Sequence, residues 1–241
     1  MIRLRRTAGR YAGLMALHGI RGVTFDAGGT LIAPHPGVGL VYAEVAARHG
    51  IETDSGDMNV RFRRAFTRRS GGNGGPTSEE AEVEFWRGVV NEVFLGTATG
   101  VTLERIFEEL WETFAEARRW KPLDGAADVL AELRRRGLKV AVLSNWDSRL
   151  HPVIEGLGWL DWLDGVFISA EVGVAKPHRG IFDHAARTLE LTPREMLHVG
   201  DSAEADAAGA IGAGWSAALL GGVHPGATAI GSLVELPSLL H

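Results

Sequence analysis

The chain has 241 residues, of which 45% are hydrophobic and 23% are charged, with a formal net charge of -5 at pH 7. A chain of this kind buries a substantial core, either as one large domain or as a domain with an insertion. Its mild acidity argues against a nucleic-acid surface, the absence of cysteine excludes disulfides and thiolate catalysis, and no apolar run is long enough to span a bilayer. We therefore expect a cytoplasmic protein that binds neither nucleic acid nor membrane.

Residues 1–19 are rich in arginine and contain no acidic residue. A basic start of this kind is also found in nucleic-acid arms and targeting peptides. However, Arg10 interrupts the only candidate secretory segment, and nothing later in the chain supports either role. We predict a basic, disordered extension, or a true start at Met15.

The first ordered element is predicted at Gly22–Phe25, an apolar run that leads directly to Asp26. Gly28 and Gly29 follow, so the run ends in a tight loop. This pattern is typical of a buried parallel strand, and α/β sheets place their chemistry where such strands end.

Residues 34–120 show helical spacing of apolar residues and no strand pattern. The glycine-rich run at 70–76 is interpreted as a hinge or turn, because no strand precedes it as in a phosphate loop. Thr77 or Ser78 is expected to cap the helix that follows. We predict that residues 34–120 form an all-helical insert.

From residue 121 onward, predicted helices and strands alternate. The predicted helices cover residues 125–136, 148–156, 179–190 and 203–213, and the predicted strands cover residues 138–143, 166–169, 196–199 and 215–220. Alternation of this kind predicts a parallel sheet with helices on both faces. We therefore predict an α/β fold, with a doubly wound, Rossmann-like core formed by residues 20–33 and 121–241.

Polar side chains stand at or just beyond the carboxyl ends of the predicted strands. They are Asp26, Ser144 with Asn145, Lys176 and Asp201. In a parallel sheet these ends line one crevice, so the side chains are expected to converge. A carboxylate there can act as a nucleophile, a lysine can neutralise charge on transferring oxygens, and two carboxylates can hold Mg²⁺.

This ordered set closely resembles the haloacid dehalogenase-like (HAD) hydrolase superfamily over about residues 20–220. The matching segments are Phe-Asp-Ala-Gly-Gly-Thr-Leu at 25–31, Leu-Ser-Asn at 143–145, Gly-Val-Ala-Lys-Pro at 173–177, and Val-Gly-Asp-Ser at 199–202 with Asp206. The helical insert resembles the cap of that superfamily's helical-cap branch, subfamily I.

The resemblance implies a role for each matching residue. The nucleophile would be Asp26, and Lys176 would bridge it to the substrate. The substrate-binding residues would be Thr30, Ser144 and Asn145. The ligands of a Mg²⁺ ion would be Asp26, the backbone carbonyl of Gly28, Asp201 and Asp206, with Asp206 either binding directly or supporting Asp201.

Gly28 departs from the pattern of the superfamily's phosphatases, which usually carry a second Asp at this position. That Asp protonates the leaving group and then activates water, and general acid–base catalysis is typically worth about 10²–10⁴ in rate. We take His35, just past the loop, as a candidate replacement because histidine titrates near neutrality. Trp146, which follows Asn145, either packs between cap and core or touches the substrate.

Three functions remain open. The first is a Mg²⁺-dependent phosphatase that acts on a small phosphorylated metabolite through an aspartyl-phosphate. The second is a metal-independent 2-haloacid dehalogenase. Enzymes of that branch also lack the second Asp, as this chain does, but they usually have an uncharged residue where this chain has Asp201. The third is a weakly active or non-catalytic relative that binds a ligand or partner. The phosphonatase branch of the superfamily also lacks the second Asp, but it uses a lysine of the cap to form a Schiff base. A phosphonatase is rejected because the insert contains no lysine. We expect a monomer or homodimer.

Overall fold

The computed structural model describes residues 17–70 and 74–241. The strands are β1 (Gly22–Phe25), β2 (Ile32–Pro34), β3 (Trp120–Pro122), β4 (Lys139–Ser144), β5 (Gly165–Ile168), β6 (Met196–Gly200), β7 (Ser216–Leu220) and β8 (Thr228–Ile230). The α-helices are α1 (Val38–Arg48), α2 (Ser55–Arg69), α3 (Glu79–Val93), α4 (Gly100–Thr113), α5 (Ala126–Arg135), α6 (Leu150–Gly156), α7 (Ser169–Val172), α8 (Arg179–Thr188) and α9 (Gly209–Gly212). A π-helical segment, Ala203–Ala208, leads into α9.

Six parallel strands form the main sheet in the order β5-β4-β1-β6-β7-β8. The chain builds outward from β1 through β4 to β5, and then returns to the other side of β1 with β6. This reversal creates a crevice at the carboxyl ends of the strands beside β1. Phe25, the last residue of β1, lies in register with Val142 of β4 and Val199 of β6. The predicted doubly wound α/β fold is confirmed.

The alternation of side chains along β4 shows how both faces of the sheet are covered. Val140 and Val142 belong to the core shared with α5 and α6, whereas Ala141 and Leu143 belong to the core shared with α8 and α9. Successive residues of a strand point to opposite faces, so an uninterrupted apolar strand needs helices on both sides.

The helices α1 to α4 lie between β2 and β3, which pair as an antiparallel ribbon. These helices enclose a separate apolar core of their own. Ser78 caps α3, because its side chain accepts a hydrogen bond from the backbone N–H of Ala81. The ribbon therefore connects the insert to the sheet domain at both ends of the inserted segment.

The structure differs from the sequence prediction at several short elements. The ribbon strands and β8 have three residues each, too few for a period of two to be recognised. Leu17 falls within the predicted disordered extension, but its N–H donates to the carbonyl of Leu239 at 2.8 Å and the residue is 9% exposed. Residues 1–16 of the predicted extension, with the alternative start at Met15, and part of the predicted hinge lie outside the described residues. Within the described part of the chain, no helix is long and apolar enough to cross a membrane.

Candidate active site

Asp26 directly follows β1 at the carboxyl edge of the sheet. Its backbone N–H donates to the carbonyl of Val199 at 2.9 Å, and the residue is 9% exposed. The loop then turns at Gly29, whose φ is 86°. A Cβ on Gly29 would lie 2.5 Å from Oδ2 of Asp201, so only glycine allows both the turn and this close approach.

Two side chains from other parts of the chain converge on Oδ1 of Asp26. The hydroxyl of Ser144, at the end of β4, donates to it at 2.8 Å, and Nζ of Lys176 donates to it at 2.7 Å. Nζ also donates to the carbonyl of Leu143 at 2.9 Å and to Oδ1 of Asp206 at 2.6 Å. An ammonium group has three donors, so these three acceptors satisfy it. Lys176 is only 3% exposed, so it depends on these protein partners.

Asp206 is held by a second layer of hydrogen bonds beneath the site. Its Oδ1 lies 3.0 Å from Nε2 of His198, and its Oδ2 accepts the backbone N–H of Ser202 at 2.9 Å. Nδ1 of His198 lies 2.8 Å from the hydroxyl of Thr24. A neutral imidazole with its proton on Nε2 satisfies both contacts, since it donates to Asp206 and accepts from Thr24. Burial and the charge of Lys176 lower the pKa of His198, which favours that neutral ring.

The buried charges shift one another's ionisation. Burial raises the pKa of Asp26, and the charge of Lys176 only partly offsets that rise. Burial acts in the same direction on Asp206, but the charge of Lys176 and the hydrogen bond from His198 bring the pKa of Asp206 well below its usual range. Burial acts to lower the pKa of Lys176, yet the two carboxylates outweigh it and raise that pKa. Lys176 is therefore a charged bridge between two acidic groups.

Asn145 and Thr30, both expected to bind substrate, use their side chains within the protein. Nδ2 of Asn145 donates to the carbonyl of Lys176 at 2.9 Å, and its Oδ1 accepts the N–H of Lys176 at 2.7 Å. This pair of bonds fixes the backbone that carries the ammonium. The hydroxyl of Thr30, which is fully buried, is directed to Oδ1 of Asp201 at 3.4 Å.

Asp26, Asp201 and Asp206 each place a carboxylate oxygen within 4.8 Å of the others. Three carboxylates and the ammonium of Lys176 leave two negative charges uncompensated. Burial and the neighbouring charge of Asp206 raise the pKa of Asp201, which reflects this excess. An all-oxygen, net negative site has the donor chemistry that hard divalent cations prefer, so the residues present fit such an ion.

Trp146 occupies the space beside Gly28. A Cβ added to Gly28 would lie 3.3 Å from Cζ3 of this indole, which is tighter than ordinary van der Waals contact. The same indole packs against Trp120 with ring centroids 4.9 Å apart. Trp146 thus joins the end of the insert to the loop of the nucleophile, which was one of its two predicted positions.

A cavity of about 440 Å³ lies between the insert and the carboxyl edge of the sheet, with the acidic cluster and Lys176 at its floor. Nine aromatic side chains line the rest of it, and we name this space the aromatic pocket. They are Tyr42, Phe62, Phe66, Trp86, Phe107, Trp111, Phe114, Trp120 and Trp146. Trp86, Trp111 and Phe114 also pack against the apolar core of the insert, so they belong both to that core and to this wall.

Arg149 and Asp147 form a buried pair at one side of the aromatic pocket. Nε and Nη2 of Arg149 each lie 2.7 Å from an oxygen of Asp147, a residue that is fully buried. The guanidinium also stacks 3.4 Å from the ring centroid of Trp111 and donates to the carbonyl of that residue. The backbone N–H of Arg149 also donates to Oδ1 of Asp147 at 3.1 Å, so Asp147 holds both the backbone and the side chain of Arg149 just before α6.

Two further contacts attach α3 to the sheet domain. The carboxylate of Glu79 accepts both the backbone N–H and the hydroxyl of Ser148, at 2.9 and 3.1 Å. The segment before α3 pairs with the loop that carries Lys176, since Gly75 O accepts the N–H of Ala175 at 3.0 Å. The insert therefore touches the loop after Ser144 and the loop of Lys176, two of the loops that deliver the polar groups of the site.

His35, the candidate replacement for the missing acid, is exposed and is not among the residues that line the cavity.

Two residues that support Asp206 were not predicted from the sequence. Thr24 and His198 face each other in register across β1 and β6. Two polar residues at matching positions of otherwise apolar strands are the signal that could have identified them.

A family model described as a haloacid dehalogenase-like hydrolase matches residues 20–214. The chain belongs to this family of hydrolases. The HAD hydrolase is 32% identical to "haloacid dehalogenase-like hydrolase domain-containing protein 3" of Bos taurus over 92% of each chain. It is 35% identical to the Homo sapiens protein of the same name, over 76% of this chain and 74% of that one.

Solved structures with the fold of this HAD hydrolase include a phosphatase and a dehalogenase. A HAD phosphatase from Thermococcus onnurineus has a TM-score of 0.66 at 22% identity, covering 91% of this chain and 97% of its own. An L-2-haloacid dehalogenase from Xanthobacter autotrophicus has a TM-score of 0.65 at 21% identity, covering 91% and 98%. A HAD hydrolase of Bacillus subtilis described as bound to magnesium has a TM-score of 0.66 at 19% identity, covering 83% and 88%. These likenesses establish the fold.

Proposed function

We propose that this HAD hydrolase is a Mg²⁺-dependent phosphatase that acts on a small phosphorylated metabolite through an aspartyl-phosphate on Asp26. The observation that carries the proposal is the cluster of Asp26, Asp201 and Asp206, whose oxygens lie within 4.8 Å of one another. Beside the nucleophile, Lys176 balances one of the two carboxylates and leaves one negative charge uncompensated. A hydrolase that needed no metal would have no use for that charge, because it repels an anionic substrate.

In this proposal the carboxylate of Asp26 attacks phosphorus, and Lys176 and Ser144 act on the same centre. Both donate to Oδ1 of Asp26, so they orient the nucleophile and stand within reach of the oxygens of a bound phosphoryl group. Asn145 positions Lys176 through its backbone, and Thr30 supports Asp201. Asp26, Asp201, the carbonyl of Gly28 and Asp206 would hold a Mg²⁺ ion, which would supply charge neutralisation to the transferring oxygens.

A second candidate is hydrolytic dehalogenation of a 2-haloacid through an ester on Asp26. Gly28 is the observation that favours it, because a departing halide needs no proton. Asp201 opposes it, since a free carboxylate beside the nucleophile repels the carboxylate of a haloacid. A third candidate, a binding protein with little or no turnover, is the expectation if neither reaction occurs in the folded protein.

The three candidates are separated by parallel assays of the purified protein. The substrates are 4-nitrophenyl phosphate, acetyl phosphate and 2-chloropropionate, each with Mg²⁺ and with EDTA. The phosphatase proposal expects phosphate release that requires Mg²⁺ and is lost in Asp26→Asn. Asp161→Asn, which changes an exposed aspartate, is the matched control and is expected to keep activity. Halide release that is insensitive to EDTA would replace the proposal with dehalogenation, and no turnover by folded protein would leave only the binding role.

A further inference from the structure

The aromatic pocket receives almost no polar group from the insert. Among the residues of the insert that the structure describes, those lining the cavity are apolar or aromatic, and none carries a charge. The phenol of Tyr42 is the one side-chain hydroxyl they contribute, and burial raises the pKa of Tyr42, which keeps it neutral. The part of the substrate that faces the insert therefore meets ring faces and aliphatic carbon.

Arg149 does not change that conclusion, although it is a cation on the cavity wall. Its guanidinium is paired at two points with Asp147 and stacked on Trp111. A bidentate pair of this kind already compensates the charge and uses the donors that would recognise a carboxylate or a second phosphate. The charged groups that remain available to a substrate all lie at the floor, around Asp26.

From these features we infer that the substrate is an aryl phosphate, a phosphate monoester whose leaving group is a flat, apolar phenol. The inference rests on the proposed phosphatase function and specifies its substrate class. A cavity of about 440 Å³ is within the range that holds a ligand much larger than phosphate alone. Ring faces at its wall favour stacking with a planar apolar group. A sugar or polyol phosphate would bury hydroxyl groups with no partner, which opposes its binding.

Gly28 is consistent with the same substrate class. In the first step an oxygen of Asp26 forms a bond to phosphorus, and the bond between phosphorus and the aryl oxygen breaks. The aryl oxygen leaves with the electron pair as a phenolate and takes a proton from water. Water then hydrolyses the aspartyl-phosphate, which restores Asp26 and releases phosphate. A phenol such as the tyrosine side chain has a pKa of about 10, far below that of an aliphatic alcohol, so it departs without a general acid.

The kinetic test compares 1-naphthyl phosphate, phenyl phosphate, glycerol 3-phosphate and acetyl phosphate. The first two release phenols and differ mainly in apolar area, so we expect kcat/KM to be about tenfold higher for the naphthyl ester. Glycerol 3-phosphate is expected to be the poorest of the four. Trp86→Leu and Phe107→Leu each lower the ratio of kcat/KM for 1-naphthyl phosphate to that for acetyl phosphate. Phe85→Leu is the matched control, because Phe85 packs on Trp86 but is not among the lining residues.

A binding measurement keeps the inference testable even if no ester is hydrolysed. Calorimetric titration with benzylphosphonate and methylphosphonate is expected to give at least about tenfold tighter binding of the benzyl compound, and less difference in Trp86→Leu. Equal affinity for the two phosphonates, or a preference for glycerol 3-phosphate over phenyl phosphate, overturns the inference. Loss of all phosphate release with benzylphosphonate still preferred would reject the phosphatase function while supporting the apolar ligand class.

Discussion

The indole of Trp146 lies 3.3 Å from the point that a Cβ on Gly28 would occupy. The position next to the nucleophile therefore lacks an acid and also has an aromatic ring over the space that an acid would enter. An aspartate introduced there requires this ring to shift by a few tenths of an ångström.

Restoring the acid should accordingly depend on Trp146. We expect Gly28→Asp alone to raise turnover of glycerol 3-phosphate little, and Gly28→Asp with Trp146→Ala to raise it further, toward the factor of about 10²–10⁴ typical of general acid catalysis. Turnover of 4-nitrophenyl phosphate should change less, because its leaving group needs no proton. The measurement is kcat/KM for both esters, with Trp146→Ala alone as the control. A double variant no faster than this control would contradict the missing-acid explanation.

Removing the buried ammonium should make stability depend on pH in a specific direction. In Lys176→Met, the carboxylates of Asp26 and Asp206 stay buried without their cation, so their folded-state pKa values rise above the unfolded value of about 3.9. The free energy of unfolding is then highest below that unfolded value and is lost as pH rises through the folded pKa values. We expect a deficit of roughly 3–5 kcal/mol relative to the natural chain near neutral pH, and a smaller one near pH 5.

Urea unfolding in EDTA across this pH range, followed by tryptophan fluorescence, measures the deficit. Lys121→Met, at an exposed lysine, is the matched control. A deficit that is the same at every pH would show that Lys176 acts through packing and not through charge.

Asn145 should affect catalysis by positioning Lys176. Asn145→Ala removes both hydrogen bonds to the Lys176 backbone, and a displaced ammonium is expected to lower kcat by about 10–100-fold with less change in KM. Asn145→Asp keeps the acceptor for the Lys176 N–H, so its kcat should be intermediate. Steady-state kinetics and hydrogen exchange at the Lys176 amide check this, with the exposed Asn91→Ala as control. Faster exchange without loss of kcat would argue against the positioning role.

Asp201 should dominate metal affinity. Its only side-chain partner among the described residues is the long contact from Thr30, so it has free oxygens to offer a cation. We expect Asp201→Asn to weaken Mg²⁺ binding by more than about tenfold, and Thr30→Val to weaken it less. Titration calorimetry with MgCl₂ alone measures this without reference to turnover, and Asp161→Asn serves as the unaffected comparison. Equal affinity in Asp201→Asn and the natural chain would remove Asp201 from the metal site.

Much of the site could be predicted before the structure because parallel strands share one carboxyl edge. Asp26, Ser144 and Asp201 follow strands whose apolar character is evident in the sequence, and the order of the motifs indicates that they meet. The helices of the insert could also be predicted, since their apolar residues repeat at the spacing of a helix.

Other features depended on contacts between distant segments. The neutral imidazole of His198 under Asp206 arises from the packing of β6 against β1 and the segment after β6. The stacking of Arg149 on Trp111 and the enclosure of a cavity by rings of the insert arise only when the insert packs against the sheet. Local sequence patterns report which face of a helix is apolar, but an apolar face can pack into a core or line a pocket, and both follow the same periodicity. The sequence by itself therefore determined the fold and the acidic centre, whereas the tertiary structure decided what covers Gly28 and what the aromatic residues enclose. Those arrangements are set by the packing of elements far apart in the chain, which no local pattern encodes.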